Sequence, residues 1–260
     1  MQFYDKFRNI ERVREHSPEG NSASSAYLLK LEELRLLPKP MGLVKKSGAD
    51  KEINASHFKM GNEYASALAH SFKFLNPTKL NLHNNRISCK AAGAIVTAIG
   101  GTDCSHIDLS NNEIGFKGVT ELAPVLENIT CKIELLSLES NRLGDKAVSE
   151  LANALKDNHS VVKLNLGHNL LTDIAASAIG EMLLDNIKLE TLYLHWNKIR
   201  AKGGTAIARA LRGNRSLKIL DLGQNSIGSC ASESASAASA LAEALEMKGS
   251  GLIHLDLSHN

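Results

Sequence analysis

The sequence predicts an α/β solenoid: a curved stack of coils with parallel strands on the concave face and helices on the convex face. Three observations carry that prediction. Short leucine-rich segments recur along the chain, each closes on an asparagine, and a helical periodicity follows each asparagine. At 260 residues, 43% hydrophobic and 22% charged, the chain has the length for a large continuous core and the composition of a globular protein.

Seven segments align: "LNLHNNRI" from Leu80, "IDLSNNEI" from Ile107, "LSLESNRL" from Leu136, "LNLGHNLL" from Leu164, "LYLHWNKI" from Leu192, "LDLGQNSI" from Leu220 and "LDLSHN" from Leu255. Their shared asparagines, Asn85, Asn112, Asn141, Asn169, Asn197, Asn225 and Asn260, are spaced by 27, 29, 28, 28, 28 and 35 residues. A degenerate copy, "INASHFKM" from Ile53, places Phe58 where the asparagine falls, 27 residues before Asn85. With a degenerate first and a truncated last copy, about eight repeats are expected.

In "LYL" the leucines alternate with a variable residue, the period of a strand buried on one face. Each asparagine stands where the chain leaves the strand. There an amide satisfies backbone groups of adjacent coils that a leucine would leave unpaired, so stacked asparagines form a ladder. After the asparagine the period becomes helical: Val148, Leu151, Ala152 and Leu155 share one face, as do Gly204, Ile207, Ala208 and Leu211.

The segments match the pattern L-x-x-L-x-L-x-x-N-x-L, and residues 52–260 resemble a leucine-rich repeat protein. The 28-residue period with a helix per unit resembles the ribonuclease-inhibitor-like subclass. That subclass also occurs in cytosolic immune receptors, the Ran GTPase activator, and ciliary and protist proteins. The resemblance implies a horseshoe that binds other proteins.

Two places depart from the period. Between Asn225 and Asn260 the unit is seven residues longer, within "SCASESASAASALAEAL". A helix lengthened by two turns would keep Leu241 and Leu245 inward; a Ser/Ala loop is the alternative. At the other break, Leu255 and Leu257 have no helix to cover them, so the C-terminal end is expected to be covered by further repeats or another chain.

Upstream, residues 1–25 read as a helix and linker. The helix carries an apolar stripe of Phe3, Tyr4, Phe7, Ile10 and Val13, and the linker is "HSPEGNSASS". Residues 26–51 read as a capping region whose helix, "AYLLKLEELRLL", is stopped by Pro38 and Pro40.

Net charge is +2, so global charge points to neither nucleic acid nor membrane. No apolar run is long enough to span a bilayer. Cys89, Cys104, Cys131 and Cys230 are scattered, which excludes a recognisable zinc site and argues against a disulfide framework. Reduced thiols imply a cytoplasmic setting, and the resemblance adds the cilium or cytoskeleton as an alternative. No nucleotide-binding, hydrolase or metalloprotease motif is present, so neither catalysis nor a cofactor is expected.

The displayed side chains fall in columns on the concave face, spaced by roughly 5 Å between coils. Between the leucines stand Asn81, Asp108, Ser137, Asn165, Tyr193, Asp221 and Asp256; just past them stand His83, Ser110, Glu139, Gly167, His195, Gly223 and Ser258. Beside the asparagine are Asn84, Asn111, Ser140, His168, Trp196, Gln224 and His259. Tyr193, His195 and Trp196 lie off the core positions. They form the expected protein-binding patch, with His168, Gln224, Asp221, Asn165 and Glu139 around them. The alternative is that Trp196 folds over its own loop. His168 and His195, on neighbouring coils, are positioned to approach each other but make a poor metal site.

The acids give the concave face an acidic cast that favours a partner with basic groups. Arg200, Lys202, Arg209, Arg212 and Arg215 form a basic patch on the outer surface, for which a solvated helix face is the plainer reading. Without a stacking platform beside it, nucleic acid is the weaker partner. The function expected is a non-catalytic protein-interaction scaffold. The alternatives are a Ran-type GTPase-activating protein working from loops that carry Arg86, Arg142 and Arg200, or a structural part of an assembly such as the ciliary axoneme.

Overall fold

The computed structural model describes residues 22–38, 51–228, 231–247 and 250–260, without the side chains of 231–236. The stripe from Phe3 to Val13, most of the linker, Pro40 and Cys230 lie outside the described residues.

Eight strands of three residues each form one parallel sheet in sequence order. They are β1 (Glu52–Asn54), β2 (Lys79–Asn81), β3 (His106–Asp108), β4 (Leu135–Ser137), β5 (Lys163–Asn165), β6 (Thr191–Tyr193), β7 (Ile219–Asp221) and β8 (His254–Asp256). The register is continuous from Ile53 through Leu80, Ile107, Leu136, Leu164, Leu192 and Leu220 to Leu255. Coils are numbered below after their strands.

Helices alternate with the strands: α1 (Ala23–Glu33), α2 (Gly61–Ala69), α3 (Phe72–Leu75), α4 (Cys89–Gly100), α5 (Gly115–Glu127), α6 (Gly144–Leu155), α7 (Asp173–Asp185), α8 (Ala201–Leu211) and α9 (Ala231–Glu246). Helix α1 packs on α2, α2 on α4, and from α4 to α9 each packs on the next, so their apolar stripes and the strand leucines enclose one shared interior. In α8, Gly203 is needed for this approach, because a Cβ there would lie 2.7 Å from the Cβ of Ala176.

Two ladders of buried amides hold the coils in register. In the first, Asn169 Nδ2 donates to the carbonyls of Leu138, Leu166 and Gly167 at 2.9, 3.2 and 3.0 Å. Its Oδ1 accepts from the N–H groups of Asn141 and Leu143 at 2.9 and 3.3 Å. Asn85, Asn112, Asn141, Asn197 and Asn225 are also buried and donate in the same way. Phe58 takes this position in coil 1, which among the described residues has no preceding strand to bridge.

The second ladder, at the helix-to-strand turns, is Asn158, Asn186 and Asn214. Their Nδ2 groups donate to Leu126, Leu155 and Leu183 carbonyls at 2.7, 2.6 and 2.7 Å. Their Oδ1 atoms accept from Val161, Leu189 and Leu217 N–H at 2.7, 2.8 and 2.8 Å. Sequence reading missed it, although "DNHSV", "DNIKL" and "GNRSL" repeat the signal at a spacing of 28.

Helix starts are also tied across coils. Asp145 Oδ1 and Oδ2 accept from Thr172 N–H and Oγ1, both at 2.7 Å. Asp173 Oδ1 accepts from Arg200 and Gly203 N–H at 2.7 and 2.9 Å. Arg200 is a poor helix cap, and the preceding coil supplies the acceptor that its own side chain cannot.

Three expectations need correction. Helix α1 starts at Ala23 rather than Ala26, because Ser22 and Ser25 exchange side-chain-to-backbone bonds at its N-terminus. It ends at Glu33 rather than Leu37: Arg35 turns left-handed (φ +54°), and Leu36 N–H reaches Leu31 carbonyl at 2.8 Å. That is a Schellman closure, completed before the prolines. In the lengthened unit α9 is helix, with Ala237, Ala240, Leu241 and Ala244 inside, but Leu245 is 47% exposed. Leu245 lies about 40° past Leu241 around the helix, beyond the buried stripe.

Replacing Asn169 by Leu is expected to lower unfolding free energy by about 1–3 kcal/mol for each backbone group left unpaired. Chemical denaturation of the variant against wild type measures this, and an unchanged midpoint would remove the ladder from the account.

Candidate protein-binding surface

Each strand opens onto the sheet face at three positions, but the positions differ in what they are free to do. Between the leucines, Asn54, Asn81, Asp108, Asn165, Asp221 and Asp256 each accept from the N–H two residues on, at 2.8–3.1 Å. These Asx turns close the strand ends. The acids Asp108, Asp221 and Asp256, read from sequence as displayed charge, are therefore first of all backbone acceptors. The N–H and hydroxyl of Ser258 hold the Asp256 carboxyl below the usual carboxylate range. Only Ser137 and Tyr193 break this column.

The residue before the ladder asparagine is left-handed in every coil from 2 to 8. Asn84, Asn111, Ser140, His168, Trp196, Gln224 and His259 have φ between +53° and +57°. Asparagine tolerates this backbone; for other side chains with a Cβ it costs about 1–2 kcal/mol. Trp196 occupies it nonetheless.

In coil 6 the aromatic residues come together. Trp196 is 53% exposed and stacks on His168, ring centroids 5.0 Å apart and planes 16° from parallel. It does not fold over its own loop. His168 faces this indole rather than His195. Tyr193 lies under the Lys163 ammonium, 5.0 Å from its ring centre, and meets His195 edge-on at 6.2 Å.

His195 lies over Gly167, where a Cβ would come within 2.5 Å of its Nε2. From there Nδ1 is 3.0 Å from Asp221 Oδ2, though not aligned as a hydrogen bond, and Nε2 is 3.7 Å from Glu139 Oε1. Asn165 Nδ2 donates to Glu139 Oε2 at 2.9 Å. Lys163, Asn165, Tyr193, His195 and Asp221 bound an open groove of about 370 Å³. Gln224 follows Trp196 in the column and is half-buried.

Lys163 was missed by the sequence columns. It belongs to the position before the first leucine, which strand alternation places on the same face. In the basic patch, Arg200, Lys202, Arg209, Arg212 and Arg215 are all exposed, but Arg212 is paired with Glu243 of α9. Cys104 is buried, and burial pushes its thiol up to about 11. Among the described residues, no group of three His, Cys, Asp or Glu side chains is arranged to hold a metal ion, and no helix is long and apolar enough to cross a membrane.

Strand, amide turn and helix recurring in register define a repeat solenoid that displays the open face of its sheet. Residues 157–180, 185–208 and 213–229 match the family model described as a leucine rich repeat. Those residues carry leucine-rich repeats, and the sheet and helices of residues 51–260 have the architecture of a leucine-rich repeat solenoid. Among solved structures it is similar to leiomodin-1 actin-binding site 2, at 23% identity over 60% of this chain and 89% of that one, with a TM-score of 0.49. It is also similar to the tropomodulin C-terminal domain from Caenorhabditis elegans structural genomics, at 14% identity over 85% and 93%, with a TM-score of 0.40. No curated protein matches the sequence.

The contact of His195 with Gly167 gives a direct check on the groove. Gly167→Ala is expected to destabilise by about 1–3 kcal/mol through overpacking. In a His195→Ala background the same change is expected to cost little, and additive effects in the double-mutant cycle would show that the ring does not rest there.

Proposed function

We propose that this protein is a non-catalytic interaction module that docks a protein partner on the sheet face and strand-to-helix loops, centred on coil 6. One observation carries the reading. Coil 6 gives up two residue types that the fold prefers and puts exposed aromatics in their place. Tyr193 stands where six coils have an Asx turn, and Trp196 stands in a left-handed position that suits asparagine.

Neither substitution improves the solenoid, whereas Tyr and Trp are the residues most often found at the energetic centre of interfaces. His168 extends the apolar surface on one side, and Lys163, Asn165, Asp221 and His195 give the adjoining groove its polar contacts, with Glu139 beside them. Gln224 flanks the other side.

The test installs the residues of coil 2, Asn81 and Asn84, at the equivalent places. In Tyr193→Asn/Trp196→Asn, a new Asx bond and relief of left-handed strain oppose the loss of aromatic stacking, each about 0.5–1.5 kcal/mol. Stability is expected within about 1 kcal/mol of wild type. Partners recovered by proximity labelling with wild type are expected to be lost with the variant. Retention of every partner at wild-type level would refute the reading.

A further inference from the structure

The strand-to-helix rim of coils 4 to 6 carries a charge of its own. Arg142, Lys198 and Arg200 are exposed there, and among the described residues none of them makes an ion pair. Between them in coil order stand Leu170, 54% exposed with φ +62°, and Trp196, 53% exposed. A bulky leucine held left-handed and open to solvent is a second costly choice beside the tryptophan.

The nearby acids do not neutralise this rim at its surface. Asp145 and Asp173 direct their oxygens at backbone N–H groups of the next coil. On the sheet face, Glu139 accepts from Asn165, and Asp221 accepts from Gly223 and faces His195. These four acids are engaged within the fold, Glu113 is exposed at the rim of coil 3, and the cations project from coils 4 to 6.

The rim is also firm. Lys198 N–H binds Leu171 carbonyl and Ser226 N–H binds Ile199 carbonyl, each at 2.8 Å, and Arg200 bridges Ser226 in parallel. A partner would meet preset loops and incur a small ordering cost.

We infer that this rim docks an acidic peptide segment carrying one bulky apolar residue. The apolar residue seats on Leu170 and Trp196, and flanking carboxylates reach Arg142 on one side and Lys198 and Arg200 on the other. The inference rests on the interaction-module reading and reverses the basic partner expected from the acids in the sequence. A stacked base is disfavoured, because His168 already covers one face of the indole at 5.0 Å.

A phage-displayed library of random dodecapeptides is selected on the full chain and on Arg142→Ser/Lys198→Ser/Arg200→Ser, whose melting temperature is checked first. Selection on wild type is expected to enrich one aromatic or aliphatic residue flanked by Asp and Glu. The synthetic consensus is then titrated by intrinsic fluorescence. Trp196 is the only tryptophan, so its emission reports on the site itself.

A blue shift is expected, with affinity weakened roughly tenfold or more in the triple variant and by added salt. A basic or neutral consensus, no enrichment, or binding indifferent to the triple variant overturns the inference. So does tighter binding of a single-stranded oligonucleotide that depends on the same three cations. A basic consensus whose binding still shifts Trp196 emission leaves the interaction module standing and removes only the acidic partner.

Discussion

The buried amide of each ladder asparagine must find donors and acceptors on two coils at once. Asn169 does so with Asn141, Leu143 and Leu138 of the preceding coil and Leu166 and Gly167 of its own. A slip of one residue would orphan all of these groups in a dry interior, at about 1–3 kcal/mol apiece. The ladder therefore fixes where every strand stops and where every chain turns away. The left-handed residue before it and the Asx turn four positions earlier are consequences of that common stopping point. So are the columns of side chains on the sheet face.

Because every coil makes the same turn, each position has a residue type that suits it, and a departure can be recognised from within the molecule. Coil 2 shows the relaxed solution, with Asn81 accepting its backbone N–H and Asn84 in the left-handed place. Coil 6 has Tyr193 and Trp196 there, and coil 5 adds His168 and Leu170. Isolated exposed apolar residues are ordinary on any surface. What separates these four is adjacency, together with the conformational cost that three of them bear.

The repeat was plain in the sequence because leucine spacing and asparagine position are local signals that recur. The helix at 231–246 was one of two readings the sequence left open, since a two-turn insertion preserves the buried stripe but its serines also suit a loop. The phase of Leu245 was not legible. Apart from the second asparagine ladder, whose signal does recur at a spacing of 28, much of what escaped depends on pairs from different coils. Asp173 capping Arg200, and His195 resting on Gly167, have no signature in either partner alone. The backbone bonds of Asp108, Asp221 and Asp256 escaped as well, because a displayed carboxylate and one bound to its own backbone have the same letter. His168 adjoins both His195 and Trp196 and turns to the indole, because column membership fixes which residues adjoin but not how their rings turn.

The backbone bonds of these acids have a consequence for the sign of the surface. Counting charges along the strands makes the face acidic, yet Asp108, Asp221 and Asp256 are oriented by N–H groups at 2.9, 2.9 and 2.8 Å. A carboxylate already bound this way offers an approaching cation less than its formal charge implies, because contact means sharing a bond that closes the strand. Among the described residues Arg142, Lys198 and Arg200 have no such prior engagement, so their field acts outward, screened by salt. In a solenoid whose turns are this uniform, the charges free to face a partner are those the turns do not use, and at the rim of coils 4 to 6 these are basic.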